Sequence, residues 1–364
     1  VTNPALDCIR EELVTATETF IGSEGNLLRP GPKSCRMIRL DTPLIDNRDL
    51  GKLREIDREG FRSATIDALF PAHGGGKGLE KSLTALFRQA NRAVKDGVNI
   101  LIVSDRKADK DHAAIPTLLI MGGLHHYLVR KGTRTRVSII LETGEAREVH
   151  HFAVLIGYGA DAINPYLAFE SLYKMIQDEM LDLDYDTAVK NYLKGSVKGV
   201  VKTMAKMGIS TVASYRGAQI FESIGLCTAL VNTYFTGTAA RIEGLGIEQI
   251  AEETLRRHRK AFPSRHIKDE DSALDPGGMY QWRHDGEEHL FNPRTIHLLQ
   301  KAVRTGDYAT YKQYAGLVND QTKKFYTLRG MMAFKNNRKP VPIDEVESVE
   351  DITRRFKTGA KSYG

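Results

Sequence analysis

Cysteine is scarce in this 364-residue chain: the three that occur, Cys8, Cys35 and Cys227, lie far apart in the sequence. An odd number of cysteines without a Cys-x-x-Cys spacing argues against a disulfide framework and against a zinc site. The pattern of an iron–sulfur ligand set is missing as well. Few, widely spaced thiols are typical of a reducing compartment, so we expect a cytoplasmic protein.

Long apolar runs are also missing. No stretch reaches the roughly 18 residues needed to cross a bilayer, and we therefore expect no membrane partner. The first residues, Val1-Thr-Asn-Pro-Ala, resemble neither a signal peptide nor an initiator methionine sequence. We interpret Val1 as the edge of a longer polypeptide.

The chain has no strong excess of one charge, since 52 basic residues stand against 46 acidic ones and give a formal net charge of +6. Basic and acidic residues are interleaved: the run Arg256–Lys260 follows soon after Glu252 and Glu253. Such a pattern is typical of a solvated helix face. We therefore expect no nucleic-acid partner.

What is present is an alternation of apolar strand patterns with amphipathic helix patterns. Strands are predicted at 35–40, 64–70, 99–105, 136–142, 160–164 and 208–214. Helices are predicted at 5–20, 78–96, 116–131, 148–157, 166–178, 185–207 and 218–224, with a helix start signal at Asp41-Thr-Pro. Beyond residue 290, helices are predicted at 294–305, 308–318 and 346–356.

Strands that alternate with helices favour an α/β fold with a parallel sheet and right-handed crossovers. Our first choice is a parallel β/α domain like a TIM barrel, complete or degraded, and our second is a doubly wound sheet. A mainly helical region follows, which we interpret as the lead-in to a second barrel.

Two sequence patterns suggest ligand sites, but each lacks a feature that the site requires. Gly74–Ser82 opens a helix, but Lys77 is followed by Gly78 where a phosphate loop needs Ser or Thr. A flexible strand-to-helix loop is the better interpretation. The histidine pairs 125–126 and 150–151 have no metal-binding spacing, because adjacent helical side chains point about 100° apart, and we predict no metal site.

A third candidate lies around Tyr215, Arg216 and Gln219. These residues follow the predicted strand 208–214, and the carboxyl end of a barrel strand is where active sites occur. An anion could bind there at the start of the next predicted helix. The competing interpretation is a structural hydrogen-bond network that closes the mouth of a barrel.

Several blocks, taken together and in order, resemble the large subunit of glutamate synthase over essentially the whole chain. They are Val1–Pro4 with Asp7, Ile9–Leu13, Ile102–Arg106, Gly208–Thr211, Ser214–Glu222, Gly237–Ile242, Tyr280–Arg283, Leu328–Gly330 and Thr358–Gly364. Any one block is weak, but the set is highly specific.

The resemblance implies an enzyme that converts glutamine and 2-oxoglutarate into two molecules of glutamate, an oxidoreductase of ammonia assimilation. In that family a glutaminase domain, a central domain, an FMN-binding barrel and a C-terminal β-helix share one polypeptide. Ammonia passes through an internal channel to reduced FMN, and an iron–sulfur cluster relays electrons. A small NADPH-oxidising subunit or ferredoxin supplies the electrons; the sequence does not decide between them.

Carried over to this chain, the resemblance assigns residues 1–285 to the central domain and residues 286–364 to the start of the FMN domain. It implies a scaffold that links two active sites and lines part of the ammonia channel. The chain then has no catalytic residue and no cofactor of its own, and we predict that it is inactive alone.

Two segments carry site predictions from the resemblance. Thr2, Asn3 and Pro4 are assigned to the ammonia channel, because small polar residues can pass a neutral amine. The competing interpretation is an ordinary capped helix entry, with Thr or Asn as the N-cap and proline at the first helical position. Thr358, Gly359, Ala360 and Ser362 are assigned to the edge of the FMN domain, although Lys361 stands where the family usually has methionine. The alternative hypothesis is an autonomous β/α-barrel enzyme with an anion site near Ser214–Gln219.

Overall fold

The computed structural model describes residues 5–10, 12–263, 277–320 and 325–355. The chain divides into two compact units, the first extending to residue 264 and the second beginning at residue 265. The first unit contains all the strands of the described ranges. The second contains only helices and irregular segments within those ranges.

The strands are short, and most lie between helices. They are β1 (Thr19–Ile21), β2 (Ile38–Leu40), β3 (Ser63–Asp67), β4 (Leu69–Pro71), β5 (Ile100–Ser104), β6 (His112–Ala114), β7 (Ser138–Glu142), β8 (Ala162–Asn164), β9 (Glu222–Leu226) and β10 (Ala239–Leu245).

The helices alternate with these strands and then continue without them. They are α1 (Asn47–Arg54), α2 (Gly75–Lys95), α3 (Thr117–Arg130), α4 (Val149–Gly157), α5 (Tyr166–Gln177), α6 (Tyr185–Lys206), α7 (Val212–Tyr215), α8 (Thr228–Tyr234), α9 (Ile247–Ala261), α10 (Pro293–Thr305), α11 (Tyr308–Asn319) and α12 (Val349–Arg355).

A four-stranded parallel sheet organises the first unit, in the order β3-β5-β7-β8. All five residues of β5 and all five of β7 are buried, as expected for strands covered on both faces. A parallel bridge from Leu44 to Ile163 lengthens the sheet beyond β8. Strands and helices therefore form the parallel α/β arrangement that their alternation predicts; within the described ranges, closure into a barrel is not shown.

The two faces of this sheet bury different cores, because successive strand side chains point to opposite sides. Leu101 and Val103 face the larger core, which α2, α3, α4 and α6 help to build. Ile100 and Ile102 face a smaller core under α1 and the β1–β2 hairpin. The sheet is thus held from both sides, and its two ends remain as the places where polar side chains can gather.

The sequence pattern places several elements well and others wrongly. The helices predicted at 78–96, 116–131 and 185–207 agree with α2, α3 and α6 to within three residues at each end. The helix predicted at 5–20 is wrong: Ile9 is 80% and Leu13 97% exposed, and Thr19–Ile21 pairs with β2 instead. The periodic apolar stripe there has no core to face.

Three further expectations fail because local signals compete with tertiary pairing. No strand forms at 208–214; the Thr211 side chain instead caps the short helix α7. No helix forms at 218–224, where β9 pairs in parallel with β10. The helix start predicted at Asp41 occurs at Asp46, whose carboxylate accepts a hydrogen bond from the Asp49 amide at 2.8 Å.

In the second unit, α10 and α11 pack against each other. Asn292 caps α10, and Gly306 ends it in the left-handed conformation (φ 66°) before Asp307 caps α11. This mainly helical character agrees with the sequence prediction.

Candidate functional site

A buried charge network lies at the amino-terminal edge of the parallel sheet, which we call the amino edge. Asp161 directly precedes β8 and is 2% exposed. Its carboxylate accepts hydrogen bonds from Arg134 Nη2 at 3.0 Å, from the Ile139 amide at 2.7 Å and from Arg216 Nη1. Arg216 Nη2 also donates to Glu24 Oε1 at 3.0 Å. Two guanidinium groups and two carboxylates therefore neutralise one another.

The imidazole of His125 completes the amino edge as a neutral group. Arg134 Nε donates to His125 Nδ1 at 3.2 Å, so this nitrogen must be unprotonated. Burial, reinforced by the positive charges of Arg134, His126 and Arg216, lowers the pKa of His125 to about 3. Burial lowers the pKa of Arg134 to about 10, which still leaves it charged at neutral pH. The charged groups described at the amino edge therefore pair with one another and stabilise the fold, and none of these four is left unpaired for a ligand.

The structure places the predicted anion site at this amino edge, and not at the carboxyl end of a strand. Arg216 is held by Asp161 and Glu24. Tyr215 is fully buried, and its ring packs edge-to-face on Phe221 at 6.3 Å. Gln219 lines a cavity of about 30 Å³, which is room for about one water molecule. The expected strand before these residues is absent, so the premise for the site is wrong; anion binding itself stays a prediction.

The other two sets of predicted site residues lie outside the described residues. Thr2, Asn3 and Pro4 precede the first described range, and Thr358, Gly359, Ala360 and Ser362 follow the last one. Their assignments to the ammonia channel and to the edge of the FMN domain stay predictions.

The opposite end of the sheet, the carboxyl edge, carries a different set of polar side chains. Glu142, the last residue of β7, is 4% exposed. Its Oε2 accepts from Ser104 Oγ at 2.6 Å and from Arg54 Nη2 at 2.6 Å. Arg106 lies 3.6 Å from Glu142 Oε1 and bonds Glu170 at 2.8 Å. On the side of the smaller core, this edge is closed by paired charges.

On the side of the larger core, the same edge is organised around Asp105, which follows β5. Thr143 Oγ1 donates to its Oδ2 at 2.8 Å, and the Gly144 amide donates to its Oδ1 at 3.0 Å. The Tyr166 hydroxyl is a further hydrogen-bond partner. Burial outweighs these bonds and raises the pKa of Asp105 above its ordinary value. The carboxylate is 5% exposed.

A cleft of about 270 Å³ opens beside Asp105, between the loops after β5 and β7 and helix α9. We call it the carboxyl-edge cleft; its polar lining includes Asp105, Glu145, Arg147, Tyr166, Arg257 and His258. Sequence reasoning missed it. A signal was present, because buried apolar strands that end in Ser104-Asp105 and Glu142-Thr143 place polar groups where parallel sheets bind ligands.

The glycine-rich start of α2 already has an anionic partner. Glu248, in the first turn of α9, accepts a hydrogen bond from the Gly76 amide at 3.0 Å. A side chain at Gly76 would collide with this carboxylate, since its Cβ would lie 2.3 Å from Glu248 Cδ. The loop therefore joins a strand to a helix, as expected, and the helix N-terminus is neutralised by the chain itself.

Among the residues that the structure describes, no three histidine, cysteine, aspartate or glutamate side chains are grouped closely enough to hold a metal ion. Within the same ranges, no helix combines the length and apolar character needed to cross a bilayer.

Comparison with known proteins gives the family. The family model described as "Glutamate synthase central domain" matches residues 1–227, more than half of the chain. The chain belongs to the glutamate synthase central domain family. A second model, "Conserved region in glutamate synthase", matches residues 289–364. The sequence resemblance to glutamate synthase is thereby confirmed.

Two curated relatives illustrate the family. The glutamate synthase [NADPH] large chain of Bacillus subtilis is 50% identical over 364 residues, which is 100% of this chain and 23% of that protein. The ferredoxin-dependent glutamate synthase of Pyropia yezoensis is 39% identical over 376 residues, again 100% of this chain and 24% of that protein. The chain thus spans about a quarter of the length of these relatives.

Among solved structures, a mandelate oxidase variant aligns with 56% of this chain and 88% of its own, at 13% identity and a TM-score of 0.29. A likeness at that level carries no argument about the fold.

Proposed function

We propose that this chain is the central scaffold of a glutamate synthase, which converts glutamine and 2-oxoglutarate into two molecules of glutamate. The observation that supports it is similarity to glutamate synthase large chains over the whole of this chain, at 50% identity to the Bacillus subtilis protein. Residues 1–285 are the central domain in this proposal, and residues 286–364 begin the FMN domain. The glutaminase, FMN and C-terminal β-helix domains belong to the same polypeptide.

The buried sheet suits a scaffold, because it is held from both faces and its amino edge is locked by paired charges. A rigid element of this kind can keep two active sites at a fixed separation.

We further propose that the first unit is a degraded β/α barrel. Its parallel strands stand side by side in sequence order, β3-β5-β7-β8, as in a barrel. A doubly wound sheet reverses its strand order at a switch point, and the four paired strands have no such reversal.

The ammonia channel is the part of the proposal that mutation tests most directly. In a full-length glutamate synthase that carries this chain, Thr2→Trp should block the path and leave the glutaminase site intact. Glutamine hydrolysis should then exceed glutamine-dependent glutamate formation, whereas Thr2→Ser should keep the two coupled. Unchanged stoichiometry in the Thr2→Trp enzyme would remove Thr2, Asn3 and Pro4 from the channel.

FMN and an iron–sulfur cluster belong to the intact enzyme in this proposal, and the electron donor is a small NADPH-oxidising subunit or ferredoxin. Titration of the isolated chain with FMN, followed by flavin fluorescence, should show no saturable binding at tens of micromolar. Tight stoichiometric binding would instead favour an autonomous flavin enzyme. The compartment that we propose is the cytoplasm, where the three free cysteines would stay reduced.

A further inference from the structure

The carboxyl-edge cleft occupies the position where parallel α/β sheets hold their ligands, outside the carboxyl ends of adjacent strands. Its floor is Asp105, after β5, and Gly144, after β7. Helix α9 forms the opposite wall through Thr254 and Arg257, and Phe262 follows directly after its last residue. The volume of about 270 Å³ lies below the range of about 300–1,000 Å³ typical of drug-sized ligands. The space therefore suits a small metabolite.

The cleft has a negative floor. Asp105 is 5% exposed, and its carboxylate accepts hydrogen bonds from Thr143, Gly144 and Tyr166. All three donors are neutral groups, and none of them is a cation. Burial without a neutralising cation raises its pKa. An ammonium group placed against Asp105 would supply the missing positive charge.

The mouth of the cleft carries two arginines and one glutamate, Glu145. Arg147 and Arg257 line it and are exposed. Within the described ranges Arg147 makes no ion pair, and the nearest approach of Arg257 to a carboxylate is 4.0 Å, to Glu145. That distance is too long for a hydrogen bond. Glu145 is already engaged, because its Oε2 accepts from the Thr117 amide at 2.7 Å. The Arg147 guanidinium is therefore available to a ligand carboxylate, and Arg257 could exchange its exposed ion pair with Glu145 Oε1 for one.

Apolar side chains make up another part of the lining. Ile115 and Pro116 form one part of the lining, and Leu167 and Phe262 another. Leu167 is 47% and Phe262 40% exposed, so both have apolar surface that a ligand in the cleft could contact. A ligand with a short aliphatic or polar side chain would cover both.

We propose that the carboxyl-edge cleft binds a free amino acid in its zwitterionic form. The ammonium group pairs with Asp105 and the Tyr166 hydroxyl, and the carboxylate pairs with Arg147 and Arg257. The side chain lies along Leu167 and Phe262. A dicarboxylate without an amine would meet the negative floor and bind poorly. This inference goes beyond the proposed scaffold function and does not depend on it.

Calorimetric titration of the 364-residue chain at neutral pH, with L-glutamine, L-glutamate and L-leucine as probes, tests the proposal. At least one probe should bind with 1:1 stoichiometry and a Kd below about 1 mM. 2-Oxoglutarate, which lacks the ammonium group, should bind at least about tenfold more weakly than the best amino acid. No binding of any probe up to about 10 mM, or equal binding of 2-oxoglutarate, would overturn the inference.

Variants then locate the site. Arg257→Gln and Arg147→Gln should each weaken binding about tenfold, and Asp105→Asn should abolish it. Arg256→Gln is the matched control, because Arg256 lies on the same helix but pairs with Glu252 and does not line the cleft. Thermal unfolding checks that each variant is folded. If Asp105→Asn does not fold, the arginine pair still decides: unchanged affinity in both would place the ligand elsewhere and refute the site.

Discussion

Each end of the parallel sheet buries an aspartate, but the two carboxylates have different kinds of partners. At the amino edge, Asp161 sits between Arg134 and Arg216, and every one of these charges has a buried partner. At the carboxyl edge, Asp105 is held by neutral hydrogen-bond donors, and the exposed Arg147 and Arg257 line the same cleft, with Arg257 4.0 Å from Glu145. The first arrangement locks the fold, whereas the second leaves charge for a ligand.

The difference shows that burial alone does not mark a functional carboxylate. Asp161 and Asp105 are 2% and 5% exposed, so their accessibility is nearly the same. Their partners differ: Asp161 has guanidinium groups, which neutralise its charge, whereas Asp105 has hydroxyl and amide donors, which form hydrogen bonds to the carboxylate without neutralising it. A buried carboxylate that lines a cleft and has no cationic partner is the better candidate for a binding site.

The largest expected effect is at the amino edge. Asp161→Ala leaves two largely buried guanidinium groups without their common partner, which should cost about 3–5 kcal/mol of unfolding free energy. Urea denaturation of the chain measures this. Glu24→Ala is the control, since the Glu24 side chain is 36% exposed and its loss should cost about 1 kcal/mol or less. Similar losses of unfolding free energy from both variants would show that the buried Asp161 stabilises the network no more than the partly exposed Glu24.

The next effect is a pH dependence that belongs to His125. The unfolded chain binds a proton at this histidine below its ordinary pKa of 6.5, but the folded chain does so only near its lowered pKa of about 3. The unfolding free energy should therefore fall as the pH drops from about 6.5 toward 3, by at most about 1.4 kcal/mol per pH unit.

His125→Asn removes one titrating group and should reduce that slope, which urea titrations at several pH values record; His126 and His151, whose pKa values burial also lowers, keep part of it. His73→Asn, at an exposed position, is the control and should leave the slope unchanged. A slope that is as steep in His125→Asn as in the parent chain would show that another group governs the acid sensitivity.

A smaller effect is expected at the start of α2. Glu248→Ala removes the acceptor of the Gly76 amide and the negative charge at the helix N-terminus, at a cost of about 1 kcal/mol. Glu252→Ala, one turn further along α9, loses only an exposed pair with Arg256 and should cost less than about 0.5 kcal/mol. Thermal or urea unfolding distinguishes the two; equal losses would mean that the Glu248 contact does not stabilise the helix.

The smallest effect on stability is expected at the carboxyl edge. The raised pKa of Asp105 means that its ionised form is disfavoured in the folded chain, so its contribution to stability is lost as the pH rises through that pKa. Asp105→Asn should therefore cost less than about 1 kcal/mol at neutral pH, because it replaces the charged form by a neutral isostere. Asp161→Asn, the same change at the other edge, should cost clearly more in the same urea experiment. The reverse order would exchange the roles of the two edges.

Sequence reasoning was reliable where local pattern and burial coincide. The helices at 78–96 and 185–207 were placed because their apolar faces meet a core, and the strands at 99–105 and 136–142 because both of their faces are buried. It failed at 5–20, 208–214 and 218–224, where the conformation depends on distant partners. The bridge from Ala16 to Thr211 and the β9–β10 pair are such cases.

The candidate sites divide in the same way. The anion site at Tyr215, Arg216 and Gln219 stays a prediction, and its expected position at the carboxyl end of a strand is wrong, because that position follows from the missing strand at 208–214. The structural hydrogen-bond network, the competing interpretation of this cluster, agrees with the pairing of Arg216 with Asp161 and Glu24. Asp105 was overlooked, since its partners Thr143 and Tyr166 are 38 and 61 residues away in the printed sequence.

The sequence by itself determined the family, the parallel α/β character and the buried strands, because each depends on residue identity or on periodicity over a short window. Only the tertiary structure decided which polar residues share an edge of the sheet and which of them find an opposite charge. That outcome depends on the pairing of distant strands, which brings Arg216 to Asp161 and leaves Asp105 at the floor of a cleft.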